Sequence, residues 1–258
     1  MTKLRPEDRR ERILKEINSN PALRIRELAR NLRVSTETIR RDLDLLQEKQ
    51  LVQRHYGGAI AKPVGSEPPW SDRLQSFADR KVAIARAAMK LLSDKDVVML
   101  GVGATAYTFA KQLAAENRRL TIFTNNVAAG TCFPPDSRTR VVIAPGEYDA
   151  AEGCTWGPET TSFISKFRFD TALLSVTGLS PLGGTEVVSG IAWAERSIIA
   201  QSRRNVLMVD HSKFGTTALE LVCTLKEIDV LVTDVLPEGE LLESLREADV
   251  EIVVANGD

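Results

Sequence analysis

Two adjacent arginines, Arg40 and Arg41, have side chains suited to binding nucleic acid. A guanidinium forms paired hydrogen bonds with O6 and N7 of guanine, and it also pairs with phosphate oxygens. Short hydroxyl side chains stand just before them, at Ser35, Thr36 and Thr38. Hydroxyls at the start of a helix that enters a DNA groove contact base edges or phosphates. This stretch therefore predicts a surface that contacts double-stranded DNA.

Apolar spacing predicts the helix that presents these side chains. Ile39, Leu43 and Leu46 recur at i, i+4 and i+7, which makes one buried stripe. A step of roughly 100° per residue then places the polar residues on the opposite side: Glu37, Arg40, Arg41, Asp44 and Glu48. The alternative is a solvated face on which Glu37–Arg41 and Arg40–Asp44 pairs each contribute only about 0.2–0.5 kcal/mol.

The flanking residues predict a winged helix-turn-helix. A first helix begins at Pro6 and ends between Asn18 and Pro21, and a second covers Ile25 to Leu32. The chain then breaks at Arg33 and Val34, and Ser35 is a good N-cap for the third helix. After Glu48, the run from Leu51 to Ile60 predicts two short strands around a turn, which is the wing.

A second kind of chemistry is indicated by the stretch that follows Val97–Leu100. This apolar run leads into five small or apolar residues and then a helical pattern: Gly101, Val102, Gly103, Ala104 and Thr105. A glycine turn of this kind points backbone N–H groups and a helix N-terminus at an anion such as phosphate. The alternative is a tight strand-to-helix turn that binds nothing.

Polar residues also follow other apolar runs. Asn125 and Asn126 come after Thr124, Gly146 and Glu147 come after Pro145, and Lys213 lies in the run 210–215. Ligands bind beyond the carboxyl ends of parallel strands, so these residues are predicted to converge on one crevice. Lys213 would be the counter-charge of a phosphate, unless it is an isolated surface lysine. No acidic residue follows Thr124 to bind a ribose, so a nicotinamide cofactor is disfavoured and no cofactor is expected.

The order of segments predicts an α/β protein in which an N-terminal winged helix-turn-helix is joined to a larger, mostly parallel α/β domain. We predict a DNA-binding domain at residues 1–62, a Pro- and Gly-rich linker at 63–72 and an effector-sensing domain at 73–258. A helix is expected from Asp72 to Leu92. Seven strands are predicted, at Val97–Leu100, Thr121–Thr124, Val141–Ala144, Thr171–Val176, Val206–Val209, Val230–Thr233 and Glu251–Val254.

Composition and charge agree with this division. The chain has 258 residues with a net charge of −1, but residues 1–62 hold 15 Lys and Arg against 9 Asp and Glu, whereas residues 63–258 hold 19 against 26. A basic part before an acidic one is typical of a DNA-binding module on a larger domain.

Neither an apolar run long enough to cross a membrane nor a secretory signal is found, so a cytoplasmic location is expected. The three cysteines and two histidines predict no disulfide or metal site.

The amino-terminal motifs resemble those of the DeoR-type bacterial transcriptional regulators. They are Glu27-Leu28-Ala29, Val34-Ser35, Thr38-Ile39-Arg40-Arg41-Asp42-Leu43 and Arg54-His55-Tyr56-Gly57-Gly58-Ala59, with Arg33 where glycine is common. The resemblance implies that Arg54 and His55 of the wing contact the DNA backbone or minor groove. The alternative for His55 is that it only packs the turn.

Residues 73–234 resemble the sensor half of the same family, which is related in fold to ribose-5-phosphate isomerase. The matching residues are Gly103, Thr105, Thr124-Asn125, Gly146, Phe169-Asp170, Gly178, Glu195 and 210–215. The resemblance implies that these positions hold a phosphorylated sugar or related intermediate, with Asp170 and Glu195 among the binding residues. Gly101 stands where an acidic residue is common, Ala104 where a hydroxyl is common, and Pro145 where glycine is usual, so altered selectivity is expected.

These observations lead to the hypothesis of a repressor of a sugar or polyol catabolic operon, released from double-stranded operator DNA by a phosphorylated metabolite. A homodimer or homotetramer is expected, because paired DNA-binding domains read palindromic half-sites. One alternative is a sugar-phosphate isomerase or hydrolase carrying a DNA-binding domain, with Asp170, Glu147 or Glu195 as general base and Lys213 steadying an enediolate. Another is a structural DNA-binding protein without a ligand.

Overall fold

The computed structural model describes residues 6, 9–10, 12–13, 25–32, 34–48, 52–55, 58–61 and 67–255, and at 47–48, 52–55 and 58–61 it describes the backbone only. The chain forms two compact units, Met1–Ser66 and Glu67–Asp258, which we call the head and the body. Glu67 to Asp72, assigned above to the linker, thus lie in the body. The predicted end of the first helix and the turn residue Arg33 lie outside the described residues.

The head contains the helices and strands of a winged helix-turn-helix. Pro6, Arg9, Arg10, Arg12 and Ile13 have helical backbone. The elements that follow are α1 (Ile25–Asn31), α2 (Thr36–Glu48), β1 (Val52–His55) and β2 (Gly58–Ala61), the two strands pairing antiparallel. Apolar side chains from three helical segments form its core: Ile13, Leu28, Ala29, Leu32, Ile39, Leu43 and Leu46. The predicted buried stripe of α2 is confirmed.

Seven parallel strands form the centre of the body, and all seven predicted strands are present. Their bounds are β3 (Val97–Leu100), β4 (Thr121–Thr124), β5 (Arg140–Ile143), β8 (Thr171–Leu174), β11 (Asn205–Met208), β13 (Val230–Thr233) and β14 (Glu251–Val254). Their order across the sheet is β14-β13-β11-β8-β3-β4-β5. The predicted fold class is confirmed.

Helices cover both faces of this sheet, which is why its strands are apolar throughout. Val98 and Leu100 face one core with α4 (Ala78–Met89) and α5 (Ala104–Glu116), while Met99 faces the other. The second core is closed by α8 (Ser189–Gln201) and α9 (Gly239–Glu247). The remaining elements are α3 (Trp70–Gln75), α6 (Val127–Gly130), α7 (Pro158–Ile164), the hairpin β6 (Glu147–Asp149) and β7 (Cys154–Trp156), and a small sheet of β9 (Gly178–Ser180), β10 (Gly183–Glu186) and β12 (Glu220–Cys223).

The prediction of one helix from Asp72 to Leu92 is wrong. The chain forms α3 and α4 instead, and Phe77 between them has a left-handed backbone with φ of 53°. Such a conformation is costly for a residue other than glycine, so surrounding contacts must hold it. The Phe77 ring packs edge-on against His211, with ring centroids 5.1 Å apart, and the Lys81 ammonium lies 5.8 Å from its centre. The helical spacing of apolar residues carries no information on these tertiary contacts, so it could not predict the break.

Candidate functional site

The side of the sheet to which the chain adds successive strands changes between β3 and β8. From β3 the chain adds β4 and β5 on one side, and then β8, β11, β13 and β14 on the other. Loops that leave the carboxyl ends of the strands diverge at such a point, and small molecules bind between them. We call the region formed by the loops after β3, β4, β8 and β11 the crevice.

The predicted glycine turn lies at the centre of the crevice. Gly103 is the N-cap of α5 and has φ of 108°, a conformation that favours glycine, and no side chain caps the helix. The first N–H groups of a helix have no partner within it, so the start of α5 is suited to an anion. Val102, Ala104 and Thr105 are buried. A Cβ added at Gly103 would lie 3.6 Å from Ser175 Cβ, which shows that the loops after β3 and β8 are in contact.

The end of β4 contributes three completely buried polar residues, Thr124, Asn125 and Asn126. The Thr124 hydroxyl donates to the Leu100 carbonyl at 2.8 Å, and Asn126 Oδ1 accepts from the N–H of Ala129 at 2.9 Å to cap α6. Asn125 Nδ2 donates to the Thr155 carbonyl at 3.0 Å. Among the described residues, Asn125 Oδ1 and Asn126 Nδ2 have no partner. Part of this group therefore fixes the loop, while two polar atoms remain available.

Glu195 brings a buried carboxyl group to the same place from the middle of α8. Its residue exposure is 1%, and neither carboxyl oxygen has a hydrogen-bond partner among the described residues. A Cβ added at Gly101 would lie 3.8 Å from Glu195 Oε1, so the carboxyl group adjoins the glycine turn. Burial, and next the negative charges of Glu186 and Glu67, raise the pKa of Glu195 well above its ordinary value. A protonated carboxyl group can both donate to and accept from a hydroxyl.

Lys213 lies after β11 in a short 3-10 helix, His211–Lys213. Asp210 holds this turn by accepting a hydrogen bond from the N–H of Ser212 at 3.0 Å. The Lys213 ammonium is mostly buried and donates to Glu67 Oε1 at 2.6 Å. The lysine is thus an integral part of the body and not an isolated surface residue.

Three charged residues of this region were missed by sequence reasoning: Glu67, Arg73 and Lys81. Arg73 NH1 lies 2.9 Å from Glu67 Oε2, and its NH2 pairs with Glu152. Lys81 Nζ lies 3.3 Å from Asp210 Oδ2, and burial, which outweighs the attraction of Asp210, lowers the pKa of the lysine. A signal existed for Lys81, since it precedes Ile84 and Ala85 at helical spacing on the buried face of α4.

One predicted residue, Asp170, lies away from the crevice, while Gly146 and Glu147 lie just before and at the start of β6. Asp170 precedes β8 and accepts a hydrogen bond from the N–H of Val97, the first residue of β3, at 2.9 Å. It therefore lies at the amino edge of the sheet, opposite the crevice, which corrects its assignment as an effector or general-base residue. Gly146 has no space for a side chain, since an added Cβ would lie 2.1 Å from Thr160 Oγ1. Glu147 is exposed on β6.

In the head, α2 places the predicted DNA-contacting side chains at the surface. Glu37, Arg40 and Arg41 are exposed, and Arg41 Nε lies 3.6 Å from Glu37 Oε1. Arg40 NH1 lies 3.8 Å from Glu37 Oε2. Because all three side chains are at least 59% exposed, these pairs are weak and can be exchanged for phosphate contacts.

The start of α2 is held by its own hydroxyls. Ser35 Oγ accepts from the N–H of Thr38 at 3.1 Å and lies 2.8 Å from Thr38 Oγ1, which confirms Ser35 as the N-cap. Thr36 is exposed. Arg54 and His55 lie on β1, opposite Ala59 and Gly58, but their side chains lie outside the described part of the chain.

Comparison with known families accounts for both units. Residues 9–62 match the DeoR-like helix-turn-helix domain, and residues 76–235 match the DeoR C-terminal sensor domain. The chain belongs to the DeoR family. Similar proteins include the glycerol-3-phosphate regulon repressors of Escherichia coli (31% identity, 88% of this chain and 90% of that protein) and Haemophilus influenzae (32%, 96% and 97%). The HTH-type transcriptional repressor GlcR of Bacillus subtilis is 29% identical over 98% of this chain and 97% of its own.

Among solved structures, ribose 5-phosphate isomerase A from Methanocaldococcus jannaschii aligns with 55% of this chain and 56% of its own, at 20% identity and a TM-score of 0.41.

In the part of the chain that the structure describes, every helix is too short or too polar to span a membrane. The described residues also contain no cluster of metal-ligating side chains. Cys154 and Cys223 are buried, and burial raises the pKa of each thiol to about 12.

The position where DeoR-type regulators commonly carry an acidic residue lies directly beside Glu195. Gly101 occupies it here, and an added Cβ would lie 3.1 Å from Leu174 Cδ2 as well as near the Glu195 carboxyl group. Among the described residues, Glu195 thus brings a carboxyl group beside Gly101.

Proposed function

We propose that this protein represses transcription of a sugar or polyol catabolic operon and that a phosphorylated sugar, polyol or related intermediate releases it from the operator. The head supplies the DNA contacts through Arg40, Arg41 and the start of α2, with the wing residues Arg54 and His55. The crevice holds the effector. Two relatives are named glycerol-3-phosphate regulon repressors, which supports a small phosphorylated compound as the ligand class.

The observation that carries the effector site is a set of buried polar atoms near the glycine turn for which the described part of the chain offers no partner. They are both carboxyl oxygens of Glu195, Asn125 Oδ1 and Asn126 Nδ2. An unsatisfied buried polar group costs about 1–3 kcal/mol, and native proteins contain few of them. A ligand with several hydroxyl groups would satisfy these atoms, while Lys213 and the start of α5 would bind its phosphate.

Ligand and operator would be linked through an oligomer. We propose a homodimer or homotetramer in the cytoplasm, whose paired heads reach half-sites about 34 Å apart, one turn of DNA. Effector binding would favour an arrangement of heads that no longer matches this spacing. A coupling of about 1–3 kcal/mol between the two sites changes operator affinity roughly 5- to 150-fold.

The direct test combines operator binding with a panel of phosphorylated compounds that begins with glycerol 3-phosphate and ribose 5-phosphate. An effector at 100 times its Kd adds about 2.7 kcal/mol of stability. For a protein of this size that amounts to a rise in Tm of roughly 5–11 °C. The same compound should release the protein from its own promoter fragment in a gel-shift assay. A promoter complex indifferent to every compound that raises Tm would contradict the proposal.

We also propose that the body is a sensor without catalytic activity. Of the three general bases considered for an isomerase, Asp170 lies at the amino edge of the sheet, whereas Glu195 adjoins the glycine turn and is the residue to test. Turnover of ribose 5-phosphate that is lost in Glu195→Gln but kept in Arg40→Ala would establish an enzyme instead.

Replacing Arg41 with alanine should weaken operator binding by at least about 1 kcal/mol, because the exposed guanidinium of α2 contacts base or phosphate. Binding of the effector should be unchanged. The matched control is Arg246→Ala, which removes an exposed arginine from α9 of the body. Equal operator affinity of the two variants in a gel-shift titration would remove Arg41 from the DNA interface.

Replacing Lys213 with alanine should raise the Kd of the effector at least about tenfold, because loss of one partner of a buried charge contact costs roughly 2 kcal/mol or more. The operator affinity of the variant should change less on addition of effector than that of the wild type. Lys226→Ala is the control, since Lys226 also lies in a 3-10 helix, Leu225–Glu227, but is exposed. A wild-type Kd for Lys213→Ala in calorimetric titration would exclude this lysine from the site.

A further inference from the structure

Glu67 is the first residue of the body, and its carboxylate is held by two cations. Oε1 accepts from the Lys213 ammonium at 2.6 Å, and Oε2 lies 2.9 Å from Arg73 NH1. Thr177 Oγ1 lies 3.3 Å from the same Oε2, but its one hydroxyl hydrogen has a closer acceptor in Glu186 Oε1, at 2.7 Å. The side chains of Glu67, Lys213 and Arg73 are only 13%, 17% and 11% exposed. A buried oxyanion is thus bound by an ammonium and a guanidinium.

Two cations, Lys213 and Arg73, face Glu67, and the carboxyl groups of Glu152 and Glu186 also lie nearby. Burial alone would raise the pKa of Glu67, but the charges of Lys213 and Arg73, with the hydrogen bond from Lys213, outweigh it and lower the pKa. Ammonium and guanidinium groups are also the side chains that bind phosphate, the guanidinium through several donors at once. The contacts that Glu67 receives are therefore of the kind a phosphate monoester requires.

A phosphate would use this site more fully than a carboxylate does. One buried donor of this cluster, Arg73 Nε, has no acceptor among the described residues. A carboxylate offers two oxygens, both already engaged by Glu67's partners, whereas a phosphate monoester offers three terminal oxygens with more lone pairs. The site thus has more donor capacity than Glu67 satisfies.

We propose that Glu67 is an internal competitor for the phosphate subsite of the crevice, and that the phosphate of the effector displaces it from Lys213 and Arg73. This inference rests on the proposed function and assigns Arg73, which no motif indicated, to the effector site. Because Glu67 directly follows Ser66, the last residue of the head, its displacement frees the residue at which the body is covalently joined to the head. Effector binding and operator release are coupled at this residue.

The test compares full-length wild type, Glu67→Gln and Glu251→Gln, with inorganic phosphate and glycerol 3-phosphate as probes. Glu251 is the control because it pairs with Arg204 at 3.2 Å at the amino end of β14, away from the crevice. If Glu67 occupies the phosphate subsite in about nine of ten wild-type molecules, it weakens the apparent affinity for the probes roughly tenfold. Glu67→Gln should therefore bind the probes about tenfold more tightly than the wild type. It should also bind the operator at least about fivefold more weakly without effector.

The outcomes separate the two proposals. Probe binding by the wild type that is no tighter in Glu67→Gln overturns the competition and leaves the effector site in place. Wild-type operator affinity in Glu67→Gln overturns the coupling. Absence of probe binding in both proteins overturns the effector site and the competition together. If Glu67→Gln does not fold, Glu67→Asp decides, because its shorter carboxylate cannot reach both cations and should also bind the probes more tightly than the wild type.

Discussion

Replacing Gly146 with alanine should destabilise the body by at least about 3 kcal/mol, which lowers Tm by roughly 6–12 °C. The added Cβ would lie 2.1 Å from Thr160 Oγ1 and 2.4 Å from the Trp156 carbonyl oxygen, and φ at this residue is 151°. Since the Trp156 contact is with backbone, the hairpin of β6 and β7 would have to move. The measurement is thermal unfolding of the two proteins at the same concentration.

Gly239→Ala is the control for Gly146→Ala. Gly239 also has a positive φ, 59°, but an added Cβ would meet nothing within 4 Å. Its replacement should therefore cost only the left-handed strain, about 1–2 kcal/mol. Equal losses in the two variants would mean that the close approach at Gly146 is not real. A larger loss in Gly146→Ala would establish that this glycine, expected from the sequence to contact the effector, acts by permitting close packing.

Replacing Glu195 with glutamine should stabilise the protein at neutral and alkaline pH and weaken effector binding. Burial raises the pKa of Glu195 in the folded state, so the folded protein retains a proton that the unfolded chain releases. Stability from this group is fully present below the pKa of the unfolded chain and is lost as the pH rises through the folded-state pKa. The wild type should thus lose about 1.4 kcal/mol relative to the variant for each pH unit within that window.

The check on Glu195 is the difference in Tm between variant and wild type, measured from pH 5 to pH 8. It should grow as the pH rises, by about 2–4 °C for each kcal/mol. Glu147→Gln is the control, because it removes an exposed carboxyl group from β6, and exposed substitutions change stability by at most about 0.5 kcal/mol. A difference in Tm that stays constant with pH would show that Glu195 is not a buried titrating group.

The strands were predictable because burial on both faces leaves a strong local signal. Val230–Thr233 is apolar over most of its length because helices cover both sides of the sheet. The stripe of α2 was predictable for a similar reason, since Ile39, Leu43 and Leu46 recur with the helical period. Each of these signals lies within a few residues of sequence.

The site was predictable only where a local motif marks it. The turn from Gly101 to Thr105 and the position of Lys213 after β11 follow from strand ends, but Asp170 was misplaced because it belongs to the opposite end of its strand. Glu67 and Arg73 were missed because their partners are distant in sequence: Glu67 meets Lys213 after 146 residues. A Pro-rich stretch around Glu67 indicates a linker, and no local pattern marks a buried carboxylate.

Because strand order reverses between β3 and β8, a molecule bound in the proposed effector site would contact two portions of the chain that are far apart in sequence. The turn after β3 and the asparagines after β4 come from one portion, whereas Thr177, Glu195 and Lys213 come from the other. A bound metabolite would contact both portions at once, so the effects of substitutions in the two portions on its binding free energy should not be additive. The contacts to the phosphate of the proposed effector and the contacts to its hydroxyl groups can consequently change separately, while the sheet stays the same.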